Sequence, residues 1–157
     1  MSMGKKPLTR ELKVSAIRNG TVIDHIQNEA TFKVAEILKL GEEDNMVLVG
    51  MNLPSKKVGK KGLIKIEGRE LTPQEVNKIA LIAPQATLNI IQDYRVIEKR
   101  HVELPARVEG IVRCFNPTCV TNCQPVSTSF EVVAADPVRL RCVYCERIMS
   151  GPDIILK

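Results

Sequence analysis

Four cysteines near the carboxy end constrain this chain more than any other feature. "CFNPTC" places Cys114 and Cys119 on either side of four residues that include Pro117, and "CVYC" places Cys142 and Cys145 after a further 22 residues. Paired cysteines read as disulfides, as a redox motif or as metal ligands. The start, "MSMGKKPLTRELK", has basic residues but no apolar run behind them, so export is not expected. In a reducing cytosol cysteine pairs serve metal or redox chemistry more often than structural disulfides.

Four thiolates in a C-x4-C and C-x2-C arrangement can surround a tetrahedral Zn²⁺, each pair gripping the ion from a tight turn. About 50 residues follow Pro105, too few for a strong apolar core without a staple. A structural zinc ion contributes roughly 10–16 kcal/mol of apparent free energy to such a domain. Arg113, Arg139, Arg141 and Arg147 lie close enough in sequence to offset the negative charge of a four-thiolate centre. Disulfides and iron are the weaker alternatives. Four cysteines close the coordination shell and this half has no histidine, so the expected zinc is structural rather than catalytic. Cys123 is left over, a buried small side chain or a free thiol.

The preceding residues read differently. "LKVSAIRNGTVIDHI" suggests a strand around Val14–Ile17 followed by a turn at Asn19-Gly20. Ala30, Val34, Ile37 and Leu38 recur at helical spacing, and Gly41 is the expected stop. "NMVLVGMNLP" and "GLIKIEG" follow as two strands around a basic loop. In "LTPQEVNKIALIAP", Thr72 can cap a helix, Pro73 suits its first position, Glu75 completes a capping box and Pro84 ends it. "ATLNIIQDYRVIEKRHVEL" is one bent strand or two.

The order is therefore β-α-β-β-α-β over about residues 10–104, a split pattern in which an antiparallel sheet carries helices on one face. The expected class is α+β. It combines a ferredoxin-like amino-terminal domain over residues 1–105 with a small all-β, zinc-ribbon-like domain over residues 106–157.

Composition excludes several classes. A chain that is 44% hydrophobic and 26% charged is not disordered, and no run approaches the ~18–20 apolar residues of a membrane helix. No nucleophile, zinc-protease or phosphate-loop motif is present, so the chain reads as a binder and not an enzyme. Adjacent strand residues point opposite ways, so Asp24 and His25 do not make an acid–base pair; Asp24 reads in isolation as a helix cap. The stretch 54–70 holds 6 basic against 2 acidic residues, which concentrates most of the net charge of +5 in one place. Such a focus suits a small anionic ligand, with a solvated basic loop as the plain alternative. Nucleic acid is a competing partner for a zinc ribbon, but aromatics make up only 3% of the chain and leave little for base stacking.

"GTVIDHI", "GMNLPS", "KGLIKIE", "LIAPQATLNII" and the cysteine knuckles with "PVSTSF" between them resemble the regulatory chain of aspartate carbamoyltransferase. The resemblance runs in order over nearly the whole chain. It implies a non-catalytic subunit that binds CTP, UTP or ATP, the first two as inhibitors and the last as activator of pyrimidine biosynthesis. Asp24 and His25 would lie at the nucleotide, Lys65 would read base or phosphate, and Lys99 would contact phosphate. Val14, Ala16, Ile17, Asn89, Ile91, Tyr94 and Val96 would line the base and ribose pocket. A carboxylate beside a polyanion is tolerable if Asp24 accepts from Lys65, the ribose or the base, or if Mg²⁺ bridges nearby. The resemblance also implies pairing of two such chains through their nucleotide domains. The zinc domain would dock on a catalytic chain, Asn116 being a candidate contact, so that three regulatory dimers link two catalytic trimers.

Overall fold

The computed structural model describes residues 16–56 and 59–157, which leaves Val14, Ser15 and the "MSMGKK" start outside the described residues. Strand β1 (Gly20–Gln27) leads through a 3₁₀ turn into helix α1 (Thr31–Ile37). Strands β2 (Val47–Ser55) and β3 (Gly59–Glu67), helix α2 (Pro73–Ile82), and strands β4 (Thr87–Gln92) and β5 (Arg95–His101) follow. The five strands form one sheet in the order β2-β3-β1-β4-β5 with every neighbouring pair antiparallel. Four of them reproduce the ferredoxin-like arrangement, and β5 is an added edge.

Two boundaries differ from expectation. Ala16 and Ile17 precede the strand, the chain bends at Arg18 and Asn19 as the Asn-Gly signal suggests, and Gly20 opens β1. The strand starts where pairing begins, at Gly20 opposite Glu67 and Ile91, and apolar spacing alone does not show that register. Helix α1 ends before Gly41. Lys39 takes the left-handed conformation (φ 54°) that terminates it, and Gly41 lies in the 3₁₀ turn beyond.

The sheet has one helix-side face and one open face. Ile23, Ile64, Ile66 and Leu88 are buried on the helix side, as are Val34 and Leu38 of α1. Each fully buried aliphatic side chain contributes about 1.5–3 kcal/mol. Gly62 shares that face because Thr31, itself fully buried, occupies the space a side chain would take: an added Cβ would lie 2.9 Å from Thr31 Cβ. Arg69 ties the end of α1 to the sheet, donating to the Leu38 carbonyl and to Glu43 Oε1, each at 2.9 Å. The last two strands form a hairpin. Asp93 and Tyr94 both have positive φ (50° and 66°), as a two-residue turn of the primed kind requires.

The second compact unit comprises residues 73–84 and 102–157, so helix α2 packs with the carboxy-terminal residues and the sheet unit comprises the rest. Its strands β6 (Arg107–Glu109), β8 (Ser129–Ala135), β9 (Val138–Cys142) and β10 (Ile148–Ser150) form a sheet in the order β10-β9-β8-β6. Strand β7 (Val112–Arg113) pairs with β11 (Ile155–Leu156), and α3 (Val120–Cys123) adds a single helical turn. Its core includes Leu81, Val108, Val112, Phe130, Leu140 and Met149, with Cys114, Cys119 and Cys142 in the same buried cluster. No described helix is long and apolar enough to cross a membrane.

Candidate functional site

Strand register assembles a row of functional side chains across the open face of the sheet. Lys65 of β3 pairs with Val22 of β1, Val22 with Asn89 of β4, and Asn89 with Lys99 of β5. Directly paired residues share a face, and alternate residues of each strand rejoin it. Lys61, Leu63, Lys65 and Glu67 of β3 therefore stand on the open face, with Thr87, Asn89 and Ile91 of β4. Val96 is paired with Ile91, and His101 with Thr87. Ile17 folds against this face in a small apolar cluster with Val22 and Leu63, packed by Leu53 and Ile91.

A bulge in β1 brings Asp24 and His25 to the same side. The pairing with β3 is interrupted between Ile23 and Ile26, and His25 has φ 56°. Asp24 Oδ1 accepts from Lys61 Nζ at 2.8 Å and from the His25 backbone N–H at 2.6 Å. His25 Nδ1 lies 3.0 Å from Thr87 Oγ1. The rule that neighbouring residues diverge holds for a regular strand, and here the extra residue breaks it. The cap reading of Asp24 is likewise replaced, because the residue lies within β1. Burial pulls the Lys65 ammonium below its ordinary value, and the nearby Asp24 carboxylate opposes that shift. A cation weakened by partial burial gains from an incoming anion.

Most of the expected ligand residues thus share one face: Ile17, Asp24, His25, Lys65, Asn89, Ile91, Val96 and Lys99. Tyr94 stands at the hairpin turn with an exposed ring, its N–H donating to the Arg18 carbonyl at 2.9 Å. Ala16 is exposed at the first described position, and Val14 is not described. Sequence reasoning missed Lys61, which it left in a basic loop. The available signal was the four-residue spacing to Lys65, which on a strand puts both lysines on one side.

The cysteines of the second unit form a closed cage. Cys114 Sγ and Cys145 Sγ are 3.6 Å apart, Cys119 Sγ and Cys142 Sγ 3.7 Å, and all four sulfurs lie within 4.8 Å of one another. A disulfide needs about 2.05 Å. A tetrahedral ion with metal–sulfur bonds of about 2.3 Å separates its sulfurs by about 3.8 Å, so these donors fit a metal.

The knuckles also supply hydrogen bonds suited to thiolates. Burial pushes the Cys114 thiol up to about 12 against the Asn116 amide, and burial raises Cys142 as well. At Cys145 burial acts upward too, but the Arg147 amide, the Asn116 side chain and the neighbouring thiols bring it down to about 7. Thr121 Oγ1 donates to Cys119 Sγ at 3.2 Å. Asn116 is 8% exposed, and its Oδ1 accepts from the Thr118 N–H and hydroxyl, so this side chain braces the knuckle from inside. The exposed groups beside it are Phe115, Val120 and Tyr144. Cys123 lies outside the cage and is exposed, so the buried alternative for it does not hold.

Comparison with known proteins matches both halves. Residues 12–103 match the allosteric domain of the aspartate carbamoyltransferase regulatory chain, and residues 106–155 match its metal binding domain. The chain is 56% identical over 147 residues to the aspartate carbamoyltransferase regulatory chain of Pyrococcus abyssi, covering 92% of this chain and 97% of that one. It is 53% identical over 147 residues to the Pyrococcus horikoshii chain of the same name, with the same coverage. It is 51% identical over 146 residues to that of Porphyromonas gingivalis, covering 93% and 97%. Identity at this level, along nearly the full length of both partners in each comparison, places this chain in the family of aspartate carbamoyltransferase regulatory chains.

Proposed function

We propose that this chain is a non-catalytic, cytosolic subunit that binds a nucleoside triphosphate on the open sheet face and passes that signal to carbamoyltransferase catalytic chains. The observation that carries this reading is the row Lys65–Val22–Asn89–Lys99, with the Asp24–Lys61 ion pair on the same side. Lysines are compact cations suited to phosphate oxygens, and lysines from two strands, β3 and β5, can share one triphosphate. Apolar Ile17, Ile91 and Val96 suit the base. CTP and UTP are the expected inhibitors and ATP the activator. Effector binding is assigned to residues 1–105 and partner docking to residues 106–157.

The ion in the cage is zinc on this reading, since four thiolates favour it over harder cations. It supplies structural bracing only. Cys114, Cys119, Cys142 and Cys145 would hold it, and the exposed Phe115, Val120 and Tyr144 beside them offer an apolar docking face. All seven residues of β5 are exposed at the sheet edge, which suits sheet extension into a second copy. A ligand shifts the partner's state only through its differing affinity for the two states, with coupling of about 1–3 kcal/mol.

Calorimetry of the purified full chain with CTP, ATP and UTP tests the site. Lys65→Ala should weaken binding about 10- to 100-fold, the loss expected for one charge-assisted hydrogen bond. Unchanged affinity in that variant would remove Lys65 from the site. Absence of binding by the unaltered chain would remove the site altogether.

A further inference from the structure

Glu67 has no assigned role, yet it stands at the end of the ligand face that lies away from Asp24 and Lys61. On β3 it shares the open face with Lys65, two residues on, about 7 Å farther along the strand. Its cross-strand partner is Gly20, Gly20 pairs in turn with Ile91, and Ile91 with Val96. Glu67 and the two expected base-lining residues therefore occupy one row, and the position between them has no side chain. Gly20 is held to glycine by its backbone: φ is +146°, and an added Cβ would overlap the Ile66 carbonyl oxygen and lie 2.9 Å from the Gly68 nitrogen. Two strand spacings, about 10 Å, separate Glu67 from Ile91 across this position, and Ile17 packs beside it against Val22 and Ile91.

The second observation is electrostatic. Glu67 Oε2 is buried from solvent and accepts no hydrogen bond among the described residues. Burying a carboxylate oxygen without a donor is unfavourable, so such an atom invites a donor from elsewhere. Lys61 and Asp24 stand at the other end of the face and Lys65 and Lys99 in the row between, while Ile91 and Val96, expected to line the base, share the row of Glu67, which makes the base the ligand part facing it. Cytosine and adenine present an exocyclic amino group, while uracil presents a carbonyl oxygen that a carboxylate repels.

Resting on the nucleotide reading above, we propose that Glu67 is a specificity-determining residue that accepts a hydrogen bond from the exocyclic amino group of the bound base. The site then favours amino-bearing nucleotides over their oxo counterparts. A site built around a ligand donor rejects the analogue lacking it because its own buried acceptor is left unpaired.

The test is calorimetry of the full chain with two matched pairs, CTP against UTP and ATP against inosine triphosphate. The unaltered chain should bind the amino member of each pair at least about tenfold more tightly. Glu67→Gln keeps the side-chain shape but adds an N–H donor, so it should reduce that preference or reverse it, with the oxo nucleotides gaining. Equal affinity for both members in the unaltered chain would overturn the proposal while leaving the binding face intact. So would equal losses for all four nucleotides in Glu67→Gln, which would mark a sugar contact or a structural role. No binding of any nucleotide by the unaltered chain would instead remove the binding face, and this proposal with it. A thermal melt of Glu67→Gln, checked to match the unaltered chain, separates loss of fold from loss of selectivity, and Glu67→Asp serves as the second variant should the first not fold.

Discussion

Removing one cage ligand should unfold half of this molecule and spare the other half. In Cys142→Ser the altered atom is fully buried beside Phe130 and Leu140, and it loses the partner sulfur of Cys119 at 3.7 Å. Folding stability of about 0.05–0.15 kcal/mol per residue gives a unit of this size roughly 3–10 kcal/mol in all. A structural zinc ion accounts for about 10–16 kcal/mol of apparent free energy, at or above that whole margin. The metal-free second unit should therefore be unfolded at equilibrium. Amide hydrogen exchange reads this directly: protection in β8 and β9 should vanish while that of β1 and β3 persists. The same pattern should follow when a chelator strips the unaltered chain.

Acid should act in the same direction. In the metal-free fold burial pushes the Cys114 thiol up to about 12, so near neutral pH the ion must displace its proton. Unfolded thiols also hold theirs below about 8.5. The metal-bound state thus carries fewer protons than either alternative, and the stability it confers falls as pH falls, about tenfold in apparent affinity per pH unit for each proton displaced. Retained protection in β8 and β9 of Cys142→Ser, or metal affinity that does not move with pH, would refute a stabilising role for the cage.

Two further substitutions probe the sheet unit. Gly62→Ala places a methyl group into Thr31 on the helix side and should destabilise this unit by about 1–3 kcal/mol, read as a lowered melting transition. Tyr94→Gly should leave melting nearly unchanged, because glycine accepts the φ of 66° at that turn. If the Tyr94 ring stacks on the base, nucleotide affinity should still fall roughly 5- to 100-fold; equal affinity would take the ring out of the pocket.

How much of this was readable beforehand depended on whether the signal was local. Helix α2 announced itself through Pro73 at its first position and Pro84 beyond its end, and its observed span is Pro73–Ile82. The cysteine spacing likewise brought four thiols together without help from the rest of the fold. The β1 bulge was illegible because no glycine or proline marks it. His25 takes positive φ only because β1 must pair with β3 on one side and β4 on the other, and that constraint comes from residues some 40–65 positions away. Lys61 was hidden for the same reason, since its ion pair with Asp24 depends on register and not on neighbours in sequence. Lys39 as the terminator of α1 had no compositional cue, and Gly41 nearby drew the expectation instead.

The grouping of helix α2 with the carboxy-terminal unit has a practical corollary for dissecting the molecule. The backbone passes between the two units three times, after Thr72, after Pro84 and after His101. A fragment beginning at Ala106 would carry all four metal-binding thiols yet lack Leu81 and Ile82, which belong to the apolar cluster surrounding them. Such a piece would present raw hydrophobic surface to water and tend to self-associate, whatever its metal content. The remaining amino-terminal piece would keep an amphipathic helix stripped of its packing partners. Excision at the evident linker thus cuts through the interior of the second unit, and the carboxy-terminal product does not inherit a complete one.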